Sequence, residues 1–210
     1  FLKYNLAPAL FLAGLPGDVG GGVIMNAGVG EPIKPREFCE IVDWVEVLRF
    51  SNNCAIQKND SQKNDIQRIE SKDLHWHYRR CEQWQPGIIT RVQMSWPLKP
   101  DSTIIDQVKK ANQVRFQKQP LDRPSCGSVF VNPDGYKAAQ LIDSCGLKGF
   151  SVGGAEISMK HANFIINKKQ ANKNQAKASD ILQIIQHIQK VVLEKTGVQL
   201  KTEVIFLGKF

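Results

Sequence analysis

The chain has 210 residues, of which 42% are hydrophobic and 23% are charged, a composition typical of a globular protein with a sizeable core. The formal net charge of +8 favours an anionic partner, which could be a nucleic acid, a phosphorylated metabolite or a dinucleotide cofactor. No apolar run approaches the roughly 20 residues of a membrane-spanning helix, and no signal-peptide pattern opens the chain, so no membrane association is expected.

The cysteines and the first residue indicate compartment and completeness. The five cysteines are odd in number and none has CxxC spacing, which favours a reduced, cytoplasmic protein and argues against structural zinc. The chain opens on Phe1 rather than on Met, and its first residues, FLKYNLAPALFLAGLPG, are typical of a segment from within a longer protein sequence. We therefore expect an N-terminal portion to precede it.

A glycine-rich stretch, GLPGDVGGGVIMNAGVG, runs from Gly14 to Gly30. Glycine loses more backbone freedom on folding than any other residue, so this density needs a reason. Such a loop allows backbone N–H groups to converge on an anion or a flat ring. It matches neither a Walker loop nor a GxGxxG fingerprint, so a tight connection with a purely structural role is the alternative.

Two elements are predicted in the middle of the chain. The segment from Ile88 to Trp96, IITRVQMSW, alternates in polarity with Ile88 and Val92 on its buried side, which predicts a strand. Apolar residues at helical spacing in 102–118 predict a helix that Ser102 caps. The polar stretches 52–67 and 168–177 are predicted to be exposed loops.

The last third of the chain predicts alternating helices and strands. A short helix ended by glycine is predicted in 135–146, and a strand in 161–168. A longer helix is predicted from a cap at Ser179 to a stop at Gly197, and QLKTEVIFLG is predicted to form a final strand. The fold class is therefore α+β, with two regions that meet between Pro97 and Pro124.

An aromatic segment with two consecutive arginines, LHWHYRRCEQWQPG, is the first candidate binding segment. The guanidinium groups of Arg79 and Arg80 can make bidentate contacts with a carboxylate or a phosphate. The alternative is a surface strand on which Arg and Trp side chains stack. His75 and His77 alternate on one strand face, but without a nearby Cys or further His no metal site is predicted.

A hydroxyl and a carboxylate are the other candidates. Ser128, in RPSCGSVFVNPDG, lies in a glycine-containing turn that could present it as a proton donor, although a serine in such a turn usually has only a structural role. Glu203 enters an apolar segment near the end of the chain. If it were buried, its pKa would be raised and it could act as an acid.

Five motifs follow one another along the chain in an order that resembles the UDP-N-acetylenolpyruvoylglucosamine reductase family. They are GLPGDVGGGVIMNAG, HYRRC, KQPLDRPSCGSVFVNP, GLKGFSVGGAEISMKHANFIIN and LKTEVIFLG, and they span essentially the whole chain. The resemblance implies an α+β fold with an FAD-binding part of two subdomains and a separate substrate-binding domain. Residues 1–118 would be the second FAD-binding subdomain, 119–201 the substrate-binding domain, and 202–210 a final strand that returns to the FAD-binding part.

The resemblance also implies a cofactor site in the glycine stretch. The first FAD-binding subdomain has no counterpart in this chain, and the short span between Arg79 and Ser128 resembles the family's second type. Asp18 stands where a small Ser or Thr is usual. The residues expected to pack against FAD are Gly14, Pro16, Gly17, Gly20, Gly21, Asn26, Ala27 and Gly28.

The reaction that the resemblance implies is the reduction of UDP-N-acetylglucosamine enolpyruvate to UDP-N-acetylmuramate, with NADPH as hydride donor and no metal. Arg79 would bind the substrate carboxylate, with Arg80 as its rival, Glu203 would be the partner acid, and Ser128 would donate a proton. The expected substrate-binding residues are Tyr78, Lys118, Asn132 and His161, which Arg123 could assist. A monomer is expected.

Two other interpretations stay open. One is a basic nucleic-acid-binding protein, suggested by the net charge of +8, although the basic residues are scattered and no binding module is recognisable. The other is a non-catalytic fragment that keeps the substrate-binding domain and cannot hold FAD.

Overall fold

The structure, a computed structural model, describes residues 1–29, 34–49, 65–168 and 175–208. Contacts divide the chain into two compact units, Phe1–Asn112 and Gln113–Phe210. Gly30, Cys54 and most of the two polar stretches that were predicted to be loops lie outside the described residues. Among the described residues, every helix is too short or too polar to cross a membrane.

The first unit is built on an antiparallel sheet with two short helices before it. The helices are α1 (Ala9–Leu12) and α2 (Val19–Ile24), and the strands are β1 (Val42–Arg49), β2 (Asp65–Glu70), β3 (Trp76–His77), β4 (Arg80–Cys81) and β5 (Ile88–Met94). Three strands form one sheet in the order β2–β1–β5, and β3 pairs with β4 in a hairpin. Its core includes the fully buried side chains of Phe11, Val23, Val45 and Val47.

A bulge in β5 changes which of its residues are buried. The predicted strand is confirmed, but Glu46 of β1 pairs with Arg91 while Val47 pairs with Ile89, so β5 holds one extra residue there. A bulge of this kind reverses the alternation of side chains beyond it. Ile89 consequently packs against the core and Ile88 is 53% exposed, so the prediction that Ile88 faces inward is wrong.

The helix predicted in 102–118 is α3 (Ile104–Lys118), and the boundary between the units falls inside it. Its predicted cap is wrong. Asp101 Oδ1 accepts hydrogen bonds from the Thr103 N–H at 2.8 Å and from the Thr103 hydroxyl at 2.6 Å. A carboxylate that accepts two bonds caps the helix start better than the Ser102 hydroxyl, so Asp101 takes this role.

The second unit packs two helices with a four-stranded antiparallel sheet. The strands are β6 (Ser125–Ser128), β7 (Ser151–Val152), β8 (Ala155–Ile157) and β9 (Phe164–Asn167), and the helices are α4 (Ala138–Ser144) and α5 (Ala178–Thr196). The strand order is β6–β9–β8–β7. The core between helices and sheet includes Ile142, Ile157, Ile165, Ile184 and Ile188.

The ends of α5 follow the sequence with one exception. Gly197 has a φ of 72° and closes the helix, as predicted, because glycine adopts this left-handed conformation without strain. The helix begins one residue before the predicted cap Ser179. Asp180 Oδ2 instead accepts the N–H groups of Lys177 at 3.0 Å and of Gly154 at 3.3 Å, so this carboxylate caps the helix and joins it to the β7–β8 turn.

The final strand predicted in QLKTEVIFLG is wrong. Thr202 forms an isolated bridge with Phe130, and the described residues 199–208 contain no strand. The segment pairs with 129–131, a short irregular stretch after β6, so the ladder does not extend beyond this bridge. Beyond this bridge the described segment is not paired in a sheet, and the side chains of Ile205 and Leu207 are exposed.

Candidate active site

An apolar cavity of about 500 Å³ lies in the first unit beside the glycine stretch. Its wall includes the side chains of Leu12, Leu15, Val19, Met25, Phe38 and Met94. Among the residues predicted to bind a cofactor, Pro16, Gly17, Gly21 and Ala27 also line it, as does Asp18. This volume and this lining are typical of small-molecule sites.

The glycines of this stretch serve two different purposes. A Cβ atom on Gly17, Gly20 or Gly21 would meet no other atom within 4 Å, so these positions border open space. A Cβ atom on Gly22 would instead collide with the ring of Phe38, and one on Gly28 with the carbonyl oxygen of Arg36. The first group leaves room for a ligand, while the second allows the protein to pack against itself.

Gly14 forms part of the turn after α1. Its N–H donates to the Phe11 carbonyl at 3.4 Å.

Arg79 lies in the turn between β3 and β4 and folds back onto the end of the glycine stretch. Its Nη2 donates to the Gly28 carbonyl at 3.2 Å, and its Nη1 donates to the Asn26 carbonyl at 3.5 Å. The guanidinium carbon lies 4.6 Å from the ring centroid of Tyr78, in cation–π geometry. Since Ala27, between the two carbonyls, lines the cavity, a cation is held beside the cavity wall.

Arg80, the rival candidate, has different surroundings. Its Nη2 lies 2.8 Å from Glu82 Oε1, and both side chains are exposed. Arg79, in the turn, therefore reaches the glycine stretch, whereas Arg80, in β4, pairs with a carboxylate at the surface.

The amide of Asn26 is used entirely within the protein. Nδ2 donates to Glu37 Oε2 and to the His77 carbonyl, each at 3.1 Å, and Oδ1 accepts the Cys39 N–H at 3.0 Å. Any contact of Asn26 with a cofactor would therefore involve its backbone.

Ser128, in the second unit, ends β6 opposite Phe164 of β9. The residues after it are fixed by the buried Asn163, which sequence analysis did not single out. The Asn163 carbonyl accepts the Val129 N–H at 2.9 Å. Its Oδ1 accepts the Phe130 N–H at 2.9 Å, and its Nδ2 donates to the Phe130 carbonyl at 2.8 Å. The sequence signal that could have identified Asn163 is an amide side chain directly before the apolar run FII.

His161 lies next to this group and has an unusual ring nitrogen. Its ring packs edge-on against Phe164, with centroids 4.7 Å apart. Its Nδ1 is buried and has no hydrogen-bond partner among the described residues. Burial lowers the pKa of His161, and the nearby Lys148 ammonium lowers it further. The neutral imidazole therefore has a ring nitrogen that a ligand could satisfy.

Two other predicted residues have partners in the second unit. The Glu203 N–H donates to the Val129 carbonyl at 2.8 Å, so the backbone of Glu203 lies beside the residue that follows Ser128. Asn132 Oδ1 accepts the N–H of Ala138, the first residue of α4, at 3.0 Å. Asn132 thus caps this helix.

The basic candidates Lys118 and Arg123 lie at the surface of the second unit. Lys118 is exposed at the end of α3, and Arg123 forms a surface ion pair of 3.8 Å with Asp122. Lys160 Nζ donates to the Phe116 carbonyl at 2.6 Å and so closes the same end of α3.

Comparisons with known proteins agree over both units. Residues 119–207 match the family model of the UDP-N-acetylenolpyruvoylglucosamine reductase C-terminal domain. The chain is 38% identical over 209 residues to the UDP-N-acetylenolpyruvoylglucosamine reductase of Caldanaerobacter subterraneus subsp. tengcongensis, covering 99% of this chain and 62% of that protein. It is 38% identical over 207 residues to the reductase of the same name from Limosilactobacillus fermentum, covering 98% and 62%. The crystal structure of UDP-N-acetylenolpyruvylglucosamine reductase from Thermus caldophilus matches with a TM-score of 0.70 at 32% identity, covering 94% of this chain and 65% of that one.

The chain belongs to the UDP-N-acetylenolpyruvoylglucosamine reductase family. It spans 62% of the length of the two relatives named above. The α+β class expected from the sequence is confirmed, since the described helices and antiparallel sheets match a solved reductase of this family.

The lining of the cavity suits a flat ring system, which is what the sequence analysis expected at the glycine stretch. Its wall is mostly apolar, and Gly17 and Gly21 leave space where a side chain would otherwise stand. Apolar walls favour an aromatic ring, which loses little hydration on entering. Asp18 also lines the cavity and is exposed, and it places a carboxylate where the sequence analysis noted that a Ser or Thr hydroxyl is usual.

Proposed function

We propose that this chain is part of an NADPH-dependent flavoenzyme that reduces the enolpyruvyl group of UDP-N-acetylglucosamine enolpyruvate, giving UDP-N-acetylmuramate for peptidoglycan synthesis. Relatives that match nearly all of this chain are named as this reductase. In this proposal residues 1–118 form the second FAD-binding subdomain, 119–201 form the substrate-binding domain, and 202–210 return to the FAD-binding part.

The observation that carries the proposal is the hydrogen bonding of Arg79 to the backbone around Ala27, a residue that lines the apolar cavity. Its guanidinium donates to the carbonyls of Asn26 and Gly28, on either side of the cavity-lining Ala27. FAD would place its ring in the cavity, against Gly17 and the residues around it. A cation fixed next to that ring would bind the substrate carboxylate and so hold the substrate within reach of the ring.

The proposed chemistry divides between the cofactor and the side chains. When bound and reduced by NADPH, FAD would supply the hydride that reaches the terminal carbon of the enolpyruvyl group. Arg79 binds the carboxylate and stabilises the negative charge that builds on the resulting enolate, as an oxyanion hole does. Glu203 is the partner acid of Arg79, and Ser128 gives a proton to the adjacent carbon. Serine is a weak acid, so this step needs the cation to stabilise the alkoxide.

The second unit would hold the UDP portion of the substrate. Lys118 is an exposed ammonium, and His161 has a buried ring nitrogen without a partner among the described residues. An ammonium and an imidazole N–H both suit a diphosphate. Asn132 would assist with its remaining amide hydrogens, and Tyr78 is a further residue proposed to bind the substrate.

The first test is the visible spectrum and activity of the protein expressed from its complete gene. The proposal expects flavin absorbance bands, and NADPH oxidation that depends on UDP-N-acetylglucosamine enolpyruvate. A colourless protein that retains oligonucleotides in a salt-sensitive manner would instead support the nucleic-acid interpretation. A colourless protein that binds only the UDP-sugar would support the fragment interpretation.

A pair of variants then tests the carboxylate role. Arg79→Gln should lower kcat by about 100-fold, the scale expected when one charge-stabilising donor is removed. Arg80→Gln should change kcat by less than about twofold, because an exposed ion pair contributes little. The reverse order of effects would show that Arg80 binds the carboxylate.

A further inference from the structure

The carboxylate of Glu37 contacts both Arg79 and Asn26, whose backbone carbonyl accepts a hydrogen bond from Arg79. Glu37 Oε1 is 3.8 Å from Arg79 Nη1, and Glu37 Oε2 accepts the hydrogen bond from Asn26 Nδ2 at 3.1 Å. The side chains of Glu37 and Arg79 are each 21% exposed, so water screens this pair only partly. Glu37 also forms a backbone bridge with Gly28, whose carbonyl accepts from Arg79.

These contacts join three distant parts of the first unit. Asn26 lies at the end of the glycine stretch, Glu37 precedes β1, and His77 and Arg79 belong to the β3–β4 hairpin. The Asn26 amide links the first two segments to the third through its bond to the His77 carbonyl at 3.1 Å. A displacement of Glu37 therefore changes both the hairpin and the carbonyls on which the guanidinium rests.

The backbone at both ends of this network is in an unusual conformation. Asn26 has a φ of 38° and Arg79 a φ of 54°, in the left-handed region that residues other than glycine rarely adopt. Such conformations persist where surrounding contacts hold them. The side chains of both residues make the contacts described above.

We propose that Glu37 is a positioning residue for Arg79: its carboxylate, held by Asn26, sets the place and orientation of the guanidinium that binds the substrate carboxylate. This inference rests on the proposed function of Arg79. Glu37 does not touch the substrate in this proposal. It acts by restricting the guanidinium to one position, so that binding the ligand does not require the side chain to be ordered first.

The charge of Glu37 also has an effect that opposes positioning, because it weakens binding of a carboxylate ligand. A negative group near the site repels a carboxylate ligand, so neutralising Glu37 would by itself strengthen ligand binding. Positioning and repulsion are separated by Glu37→Asp, which keeps the charge and shortens the side chain by one methylene. The shorter carboxylate cannot contact Arg79 and Asn26 at once, so positioning is lost while repulsion remains.

The control is Glu46→Asp in the same unit. Glu46 is 22% exposed and its Oε2 lies 3.5 Å from Arg91 Nε, so it matches Glu37 in exposure and in the type of ion pair. It lies in the middle of β1, and its partner is not Arg79. Both variants are made in the full-length protein, and their melting temperatures are compared with that of the wild type.

The readout is the ratio of two dissociation constants measured by calorimetry without turnover. The ligands are UDP-N-acetylglucosamine enolpyruvate and UDP-N-acetylglucosamine, which lacks the enolpyruvyl carboxylate. We expect the wild type to bind the first ligand at least about tenfold more tightly, and Glu37→Asp to lose most of this preference. Binding of the second ligand should not change, and Glu46→Asp should behave as the wild type.

The outcomes separate the inference from the proposed function. If the wild type and Arg79→Gln show the same ratio, Arg79 does not bind the carboxylate and the proposed function of Arg79 fails. If Arg79→Gln abolishes the preference and Glu37→Asp retains it, the positioning role of Glu37 is overturned.

A second variant keeps the test decisive if Glu37→Asp does not fold. Glu37→Gln retains an oxygen for Asn26 and loses the charge that holds the guanidinium. Positioning predicts weaker binding of the carboxylate ligand, whereas tighter binding would show that repulsion dominates and would contradict the inference. Combined with Arg79→Gln, Glu37→Gln should no longer weaken binding of the carboxylate ligand, because the residue it positions is gone and only the relief of repulsion remains.

Discussion

Replacement of Asn163 by Ala should strongly destabilise the second unit. The Asn163 amide makes one hydrogen bond with the Phe130 N–H at 2.9 Å and one with the Phe130 carbonyl at 2.8 Å. Asn163 is 4% exposed and Phe130 is 1% exposed, so water cannot replace these bonds without local opening. Since each of the two unsatisfied buried groups costs about 1–3 kcal/mol, the free energy of unfolding should fall by roughly 2–6 kcal/mol.

Urea unfolding and amide hydrogen exchange can measure this effect. All four tryptophans lie in the first unit, so their fluorescence follows that unit, while the far-ultraviolet circular dichroism of α5 follows the second. The dichroism transition should shift to lower urea, and the Phe130 amide should lose its protection. Asn167→Ala is the control, because Asn167 Oδ1 accepts a single, longer bond of 3.2 Å from the Ala176 N–H. An equal shift in both variants, or a Phe130 amide that stays protected, would refute the reasoning.

Three further predictions concern other parts of the molecule. Gly28→Ala brings a Cβ atom against a backbone carbonyl and should lower the melting temperature. Gly21→Ala borders open space in α2 and should leave the melting temperature unchanged or raise it, and under the proposed function it should weaken flavin retention. Equal melting temperatures for the two variants would contradict this. Desolvation raises the pKa of both thiols, that of Cys81 to about 11, but Cys126 is exposed and Cys81 is buried, so iodoacetamide at pH 8 should label Cys126 before Cys81 by peptide mass spectrometry. Earlier labelling of Cys81 would contradict its burial. Burial lowers the pKa of His161 from 6.5, so the folded state binds fewer protons there than the unfolded chain, and stability should decline as the pH falls below 6.5. His161→Phe should reduce that decline in urea titrations, and an unchanged pH dependence would count against it.

Several elements were predictable because their signals are local. The apolar stripe of α5 and the glycine that ends it lie within one segment, and their spacing alone predicts the buried face and the stop. The type of β5 was predictable in the same way. Its faces were not, because the bulge depends on how Glu46 and Val47 of β1 pair with it, and single-strand alternation carries no record of a partner.

The candidate site shows the same division. The sequence by itself determined the family motifs, the α+β class and the set of residues able to bind an anion or a flat ring, since these depend on residue type and order. The tertiary structure decided which glycines border a cavity, which of two adjacent arginines turns inward, and that Glu37 and Asn163 hold their neighbours in place. The Arg79–Gly28 bond joins residues 51 positions apart, and the bonds between Asn163 and Phe130 join residues 33 apart. Contacts at such separations exist only after the chain has folded, because they are set by packing between elements rather than by local preference.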